Sequence, residues 1–195
     1  MELKRICVYC ASSNKIKSAF FEATAKVAKV LVNENIEVVF GGGATGLMGQ
    51  LADSVLAHNG KIVGIMPHFM TEVEWAHKGV KDFHITSSMH TRKQLFLENI
   101  DGIIALAGGT GTLEELLEVI TLKKLGFFTK PIVILNTDGY YDPLKEMLDR
   151  CIAENFMAEK HREMWTFVTQ PEDVLPALKN APVWISEAIH FAAIK

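Results

Sequence analysis

An apolar run, residues 103–106, leads into Gly108-Gly109-Thr110-Gly111-Thr112 and passes without a break into a segment of helical periodicity. A strand that turns on glycines directly into a helix leaves the first backbone N–H groups of that helix without carbonyl partners, at its electropositive end. Such a turn predicts an anion site, most often for phosphate. No lysine follows the glycines, so the run is not the loop that grips a nucleoside triphosphate and its metal.

Strand-like and helix-like segments alternate along the rest of the chain. Residues 6–11, 36–40, 61–66, 131–135 and 165–169 read as further buried strands, and residues 17–33, 47–57, 89–99, 143–155 and 171–179 as helices. Repeats of this length imply an α/β fold, a doubly wound parallel sheet with helices on both faces, because parallel crossovers are right-handed and lay helices over the sheet. The 195 residues are expected to form a single domain, 1–195. Ligands bind such sheets at the carboxyl ends of the strands. Ser12, the glycine loop with Gly42 and Gly43, and the turn at Gly108 all fall at such ends and are expected to line one crevice. Residues 67–88 break the pattern and are expected to form a mobile loop or lid. The apolar tail, residues 182–195, is expected to dock on the domain.

Several local patterns admit two readings. Thr112-x-x-Glu115 has the spacing of a capping box, in which threonine and glutamate satisfy each other's backbone donors. The same glutamate is also a candidate for chemistry. At about 100° per residue, Leu113, Leu116, Leu117 and Ile120 share one helix face while Glu115 falls beside Val119 and Leu122, where partial desolvation makes a carboxylate more basic. Gly41, Gly43 and Gly46 satisfy G-x-G-x-x-G, a dinucleotide signature. However, they follow the second strand instead of the first, and the end of the next strand, residues 65–68, lacks the acid that would hold a ribose hydroxyl. Close helix-to-strand packing is the preferred reading of these glycines. His90, Arg92 and Lys93 stand at a helix start, where acids are more usual; they form either a solvated basic face or a clamp for phosphate or carboxylate.

Composition narrows the partners. The net charge of −3 offers no general attraction to nucleic acid or anionic lipid, and no stretch has the length of a membrane span. Cys7, Cys10 and Cys151 are too few and too scattered for a disulfide framework, which points to a reducing, cytoplasmic location. Cys7 and Cys10 have C-x-x-C spacing, but three residues apart on a strand they point to opposite faces. No metal-ligand spacing is present among the histidines of the loop, and neither a metal nor a cofactor is expected.

The residues assembled so far resemble the Lonely guy (LOG) family of cytokinin riboside 5'-monophosphate phosphoribohydrolases, a family also described as lysine decarboxylases. Residues 41–49 are similar to its first glycine motif, Met89-His90-Thr91-Arg92-Lys93 to its M-x-x-R-K motif, and residues 108–115 to its P-G-G-x-G-T-x-x-E motif. Residues 116–121 and 136–141 extend the similarity. The resemblance implies a Rossmann-like nucleotide-binding domain and hydrolysis of the N-glycosidic bond of an N6-substituted adenosine 5'-monophosphate. It implies Arg92 and Glu115 as the catalytic pair, with Glu74, Lys93, Gly109, Thr110, Gly111, Thr112 and Thr121 contacting the nucleotide, in a homodimer with its site near the subunit interface. Ala107 stands where the motif has proline, and Thr110 where an aromatic or aliphatic residue is common. Two alternatives to that substrate are a glycosidase for AMP or for several nucleoside 5'-monophosphates, and a nucleotide sensor with no catalysis. Lysine decarboxylation requires a pyridoxal phosphate Schiff-base lysine, and no lysine has a recognisable context for one.

Overall fold

The computed structural model describes residues 2–71 and 76–192. The strands are β1 (Arg5–Tyr9), β2 (Glu37–Phe40), β3 (Ile62–Pro67), β4 (Asp82–Thr86), β5 (Gly102–Ala105), β6 (Ile132–Leu135) and β7 (Thr166–Val168). The α-helices are α1 (Ser18–Asn33), α2 (Gly46–Ala57), α3 (Met89–Leu97), α4 (Thr110–Lys124), α5 (Asp142–Ala153) and α6 (Val174–Asn180). All seven strands are parallel in the order β4-β3-β2-β1-β5-β6-β7. The chain therefore winds outward from β1 to β4, returns across the sheet, and continues from β5 on the other side of β1. That reversal opens a crevice at the carboxyl ends of β1 and β5.

Strand alternation divides the interior into two cores. Val8, Val38, Phe40, Ile104 and Val133 face one layer, with Val27, Leu31, Leu51, Val55 and Leu178 of α1, α2 and α6. Cys7, Tyr9, Val39, Ile65, Ile103 and Ile134 face the other, with Phe96, Leu116, Ile120, Leu148 and Ile152 of α3, α4 and α5. Cys7 belongs to the second core and Cys10 packs against the first, as the period of two requires. Among the described residues no helix is long and apolar enough to cross a membrane.

Three expectations are corrected. The stretch 67–88, read as a loop, contains a strand: β4 lies at the sheet edge and pairs with β3 from Asp82 to Thr86. An edge strand is covered on one flank only, so its sequence carries no continuous apolar run, and Ile85 is exposed. The apolar stripe of α4 is rotated from the expected one, with Thr112, Leu116, Val119, Ile120 and Lys123 buried and Leu117 exposed. The side of the helix carrying Glu115 and Val119 thus faces inward. Residues 171–179 are two elements, a 3₁₀ turn (Pro171–Asp173) followed by α6. The described part of the C-terminal tail docks as expected: Trp184 is buried and its indole N–H donates to the Lys123 carbonyl at 2.6 Å.

The glycine loop between β2 and α2 is a packing device. Gly46 has φ +62°, and a Cβ there would run into the backbone of Ser12. Replacing Gly46 by Ala is expected to destabilise the protein by about 3 kcal/mol, a strained backbone plus a clash with main chain that cannot swing aside. A urea midpoint lowered accordingly, at unchanged slope, is the measurement that checks it.

Candidate active site

At the carboxyl ends of β1 and β5 lies a cavity of about 360 Å³. Its wall on the β1 side is formed by Cys10, Ala11, Ser12 and Ser13, and on the β5 side by Gly109, Thr110, Gly111 and Thr112 at the start of α4. Gly41, Arg92, Glu114 and Glu115 also line it, together with Met48, Met70 and Met89.

The two glycine loops at this crevice differ in what their helix starts can still bind. At α2 the donors are taken by protein: the Gly46 N–H donates to the Asn14 side chain at 2.7 Å and the Met48 N–H to the Ala11 carbonyl at 3.2 Å. At α4 the cap is Gly109, with no side chain to close the helix and no acid in the first turn. Leu113 donates back to the Gly109 carbonyl; among the described residues nothing accepts from the amides of Gly109, Thr110, Gly111 and Thr112. These N–H groups have the arrangement that suits an anion, at the cavity wall. Gly108, just behind it, does not line the cavity. Its role is steric, because a Cβ there would collide with the Thr112 hydroxyl.

With Gly109 as the cap, Thr112 and Glu115 both lie inside α4, so the capping-box reading fails. Glu115 is instead paired across the cavity floor. Arg92 Nη1 donates to Glu115 Oε1 at 3.2 Å, and both side chains are nearly buried, with exposures of 8% and 12%. The guanidinium is fixed from three further directions: Nε donates to the Ile65 carbonyl at 3.1 Å, Nη2 to the Gly41 carbonyl at 3.4 Å, and its carbon lies 4.8 Å from the Phe96 ring centroid. Gly41 is required for this fit, since a Cβ there would approach Nη2 to 2.6 Å.

Burial pushes the Glu115 carboxyl up to about 7, against the opposing pull of Arg92. A carboxyl group tuned to neutral pH can both accept and return a proton under ordinary conditions. Its neighbour Glu114 is half-exposed and held by Lys93, whose ammonium donates to Glu114 at 2.6 Å and also pairs with Glu118 at 3.0 Å. The Glu114 hydrogen bond raises the Lys93 ammonium above its ordinary value.

Of the residues expected from sequence, Ser12, Arg92, Gly109, Thr110, Gly111, Thr112 and Glu115 meet at this cavity. Lys93 does not line it and is engaged by two carboxylates. Gly42 and Gly43 are also outside it: the Gly42 carbonyl accepts from the His77 N–H at 3.0 Å, and Gly43 bridges to Ala76. Thr121 lies eleven residues along α4 from Thr110, with its hydroxyl on the Leu117 carbonyl, and does not reach the cavity within one chain. Glu74 lies outside the described residues. Sequence reasoning passed over Cys10 and the methionines Met48, Met70 and Met89. Met48 and Met89 stand inside the quoted motifs, but Met70, in the 3₁₀ turn after β3, carries no local signal.

The chain is similar to known proteins over most of its length. Residues 48–178 match the family model described as "Possible lysine decarboxylase". The cytokinin riboside 5'-monophosphate phosphoribohydrolase LOG of Oryza sativa subsp. japonica is 37% identical over 194 residues, covering 96% of this chain and 80% of that protein. The cytokinin riboside 5'-monophosphate phosphoribohydrolase LOG3 of Arabidopsis thaliana is 40% identical over 179 residues, covering 92% and 83%. Among solved structures, the molybdenum cofactor binding protein from Rippkaea orientalis superposes with a TM-score of 0.68 at 20% identity, covering 92% of this chain and 97% of that one. At that identity the likeness concerns the fold alone.

Proposed function

Since this chain belongs to the LOG family of cytokinin riboside 5'-monophosphate phosphoribohydrolases, we propose that it hydrolyses the N-glycosidic bond of a purine nucleoside 5'-monophosphate. The products are the free base and ribose 5-phosphate, and the preferred substrate is an N6-substituted adenosine 5'-monophosphate. One observation carries the reading: a buried, paired Glu115 lies in the same cavity as the open amides of α4.

The 5'-phosphate sits on the amides at residues 109–112, with the Thr110 hydroxyl as a further donor. Glu115 lies five residues beyond Thr110, about 7.5 Å along the helix axis, and lines the same cavity, so a sugar held by its phosphate at the helix start lies beside it. As the bond from that carbon to the base nitrogen breaks, its electron pair leaves with the base and positive charge develops on the sugar. The Glu115 carboxylate stabilises that charge and takes one proton of the water whose oxygen adds to the anomeric carbon; that proton is then returned to the departing base nitrogen, which leaves the base neutral and the carboxylate restored. Arg92 keeps Glu115 aimed and its charge balanced. Phosphate binding, remote from the bond that breaks, supplies the positioning.

Lysine decarboxylation is unsupported, because among the described residues no lysine lines the cavity. The most buried of the described lysines, Lys123, donates to the Lys130 carbonyl at 2.7 Å, away from the cavity. A broader range of bases is a second reading, favoured by Met48, Met70 and Met89, whose flexible thioethers adapt to different shapes. Incubation with AMP and with isopentenyl-AMP, followed by detection of free base and sugar phosphate, separates these cases. Release from the N6-substituted nucleotide, at a higher kcat/KM than from AMP, is expected. Tight binding of both without formation of ribose 5-phosphate would identify a sensor. The same reading takes the protein as a homodimer, which light scattering of the purified chain tests.

A further inference from the structure

We propose that Tyr140 and Tyr141, neither of which lines the cavity, are positioning residues that hold the phosphate cradle in its binding conformation. The proposal rests on the reading that the amides at the start of α4 receive the substrate phosphate. The Tyr140 hydroxyl donates to the Gly108 carbonyl at 2.6 Å, and the Tyr141 hydroxyl to the Leu106 carbonyl at 2.7 Å. Both residues come from the turn after β6, more than thirty positions away in sequence.

The consequence follows from peptide geometry. In a trans peptide the C=O of one residue and the N–H of the next lie on opposite edges of one plane. Fixing the Gly108 carbonyl away from the cavity therefore fixes the Gly109 N–H in the reverse direction, toward it. Nothing in the local sequence would do this, because Gly108 and Gly109 lack the Cβ atoms that oppose rotation of the peptide between them. The Tyr140 hydroxyl is the restraint against that flip. Tyr141 restrains the carbonyl of Leu106, two residues earlier, where Ala107 leaves the backbone freer than a proline would. The Ala11 N–H holds the Ala107 carbonyl at 3.2 Å.

The turn that carries the tyrosines is itself braced. Asn136 accepts from the Tyr141 N–H at 2.6 Å and donates to Asp142 at 2.7 Å. The Tyr140 ring meets Phe20 of α1 edge-on at 5.7 Å, and Tyr141 at 5.0 Å. Tyr141 is buried, whereas Tyr140 is 43% exposed, so its hydroxyl can be removed without opening the core.

The test uses the whole protein with Tyr140→Phe and Tyr141→Phe, measuring kcat and KM for AMP and the dissociation constant for ribose 5-phosphate by calorimetry. Loss of the Tyr140 hydroxyl is expected to raise both KM and the dissociation constant roughly tenfold, the effect of one misdirected donor to a charged group. The acidic limb of the pH–rate profile, which belongs to Glu115, stays where it is. A merely structural role would lower the melting temperature and the amount of active protein while leaving KM unmoved. Values within twofold of wild type in Tyr140→Phe overturn the proposal, even if Tyr141→Phe fails to fold. If wild type binds ribose 5-phosphate but releases none from a nucleotide, the hydrolase reading fails and the calorimetric comparison still decides the role of the tyrosines. If wild type does not bind ribose 5-phosphate at millimolar concentration, the cradle and this proposal fall together.

Discussion

Replacing Glu115 by Gln is expected to reduce kcat for nucleotide hydrolysis by about a thousandfold or more while leaving KM within a few-fold, because the amide keeps the shape but can neither stabilise the developing cation nor accept a proton. The same substitution changes how stability depends on pH. In the folded protein the Glu115 carboxyl titrates at about 7, against 4.5 ordinarily, chiefly because it is buried. Between those values the folded state binds more protons than the unfolded chain, so stability falls as pH rises. The contribution is fully present below the ordinary value and is lost as pH passes through 7. The total is on the order of 3 kcal/mol. Glu115→Gln should therefore flatten the dependence between pH 5 and pH 8, with a melting temperature at pH 8 no lower than that of wild type. Near-normal turnover in a folded Glu115→Gln protein would remove the assigned role entirely.

Replacing Arg92 by Met should lower activity at neutral pH by about a hundredfold and destabilise the fold by about 3 kcal/mol, since it breaks a buried pair and leaves the carbonyls of Ile65 and Gly41 without their donors. Because Arg92 holds the Glu115 carboxyl down, its removal should also move the acidic limb of the pH–rate profile to higher pH. Part of the lost activity then returns at pH 9. Lys at this position should not rescue, as one ammonium cannot replace a planar group that reaches Ile65, Gly41 and Glu115 together. A profile that keeps its position in Arg92→Met would show that the pair is not electrostatically coupled during turnover.

Much of this molecule is legible in its sequence, for a physical reason. Buried parallel strands must be apolar throughout, and the helices between them must show a period of 3.6, so alternating runs along the chain write out the doubly wound sheet. The turn at residues 108–112 carries its own meaning too, since a strand ending in glycines before a helix leaves the first amides of that helix without carbonyl partners of its own. The edge strand β4 escaped this logic, because half of its surroundings are solvent.

What the tertiary structure alone decided is which of several similar groups are available for chemistry. Two glycine loops enter the crevice, and only the contact of residues 11–14 with α2 closes one of them. Three glutamates lie within five positions of α4, yet Lys93 engages Glu114 and Glu118 while Arg92, twenty-three residues before Glu115, meets it in a buried pocket. Adjacent side chains on a helix diverge by about 100°, so Arg92 and Lys93 take different partners. Local sequence specifies the donors, acceptors and charges, but desolvation and pairing depend on segments that only the folded sheet brings together, and these set the Glu115 carboxyl apart from its neighbours.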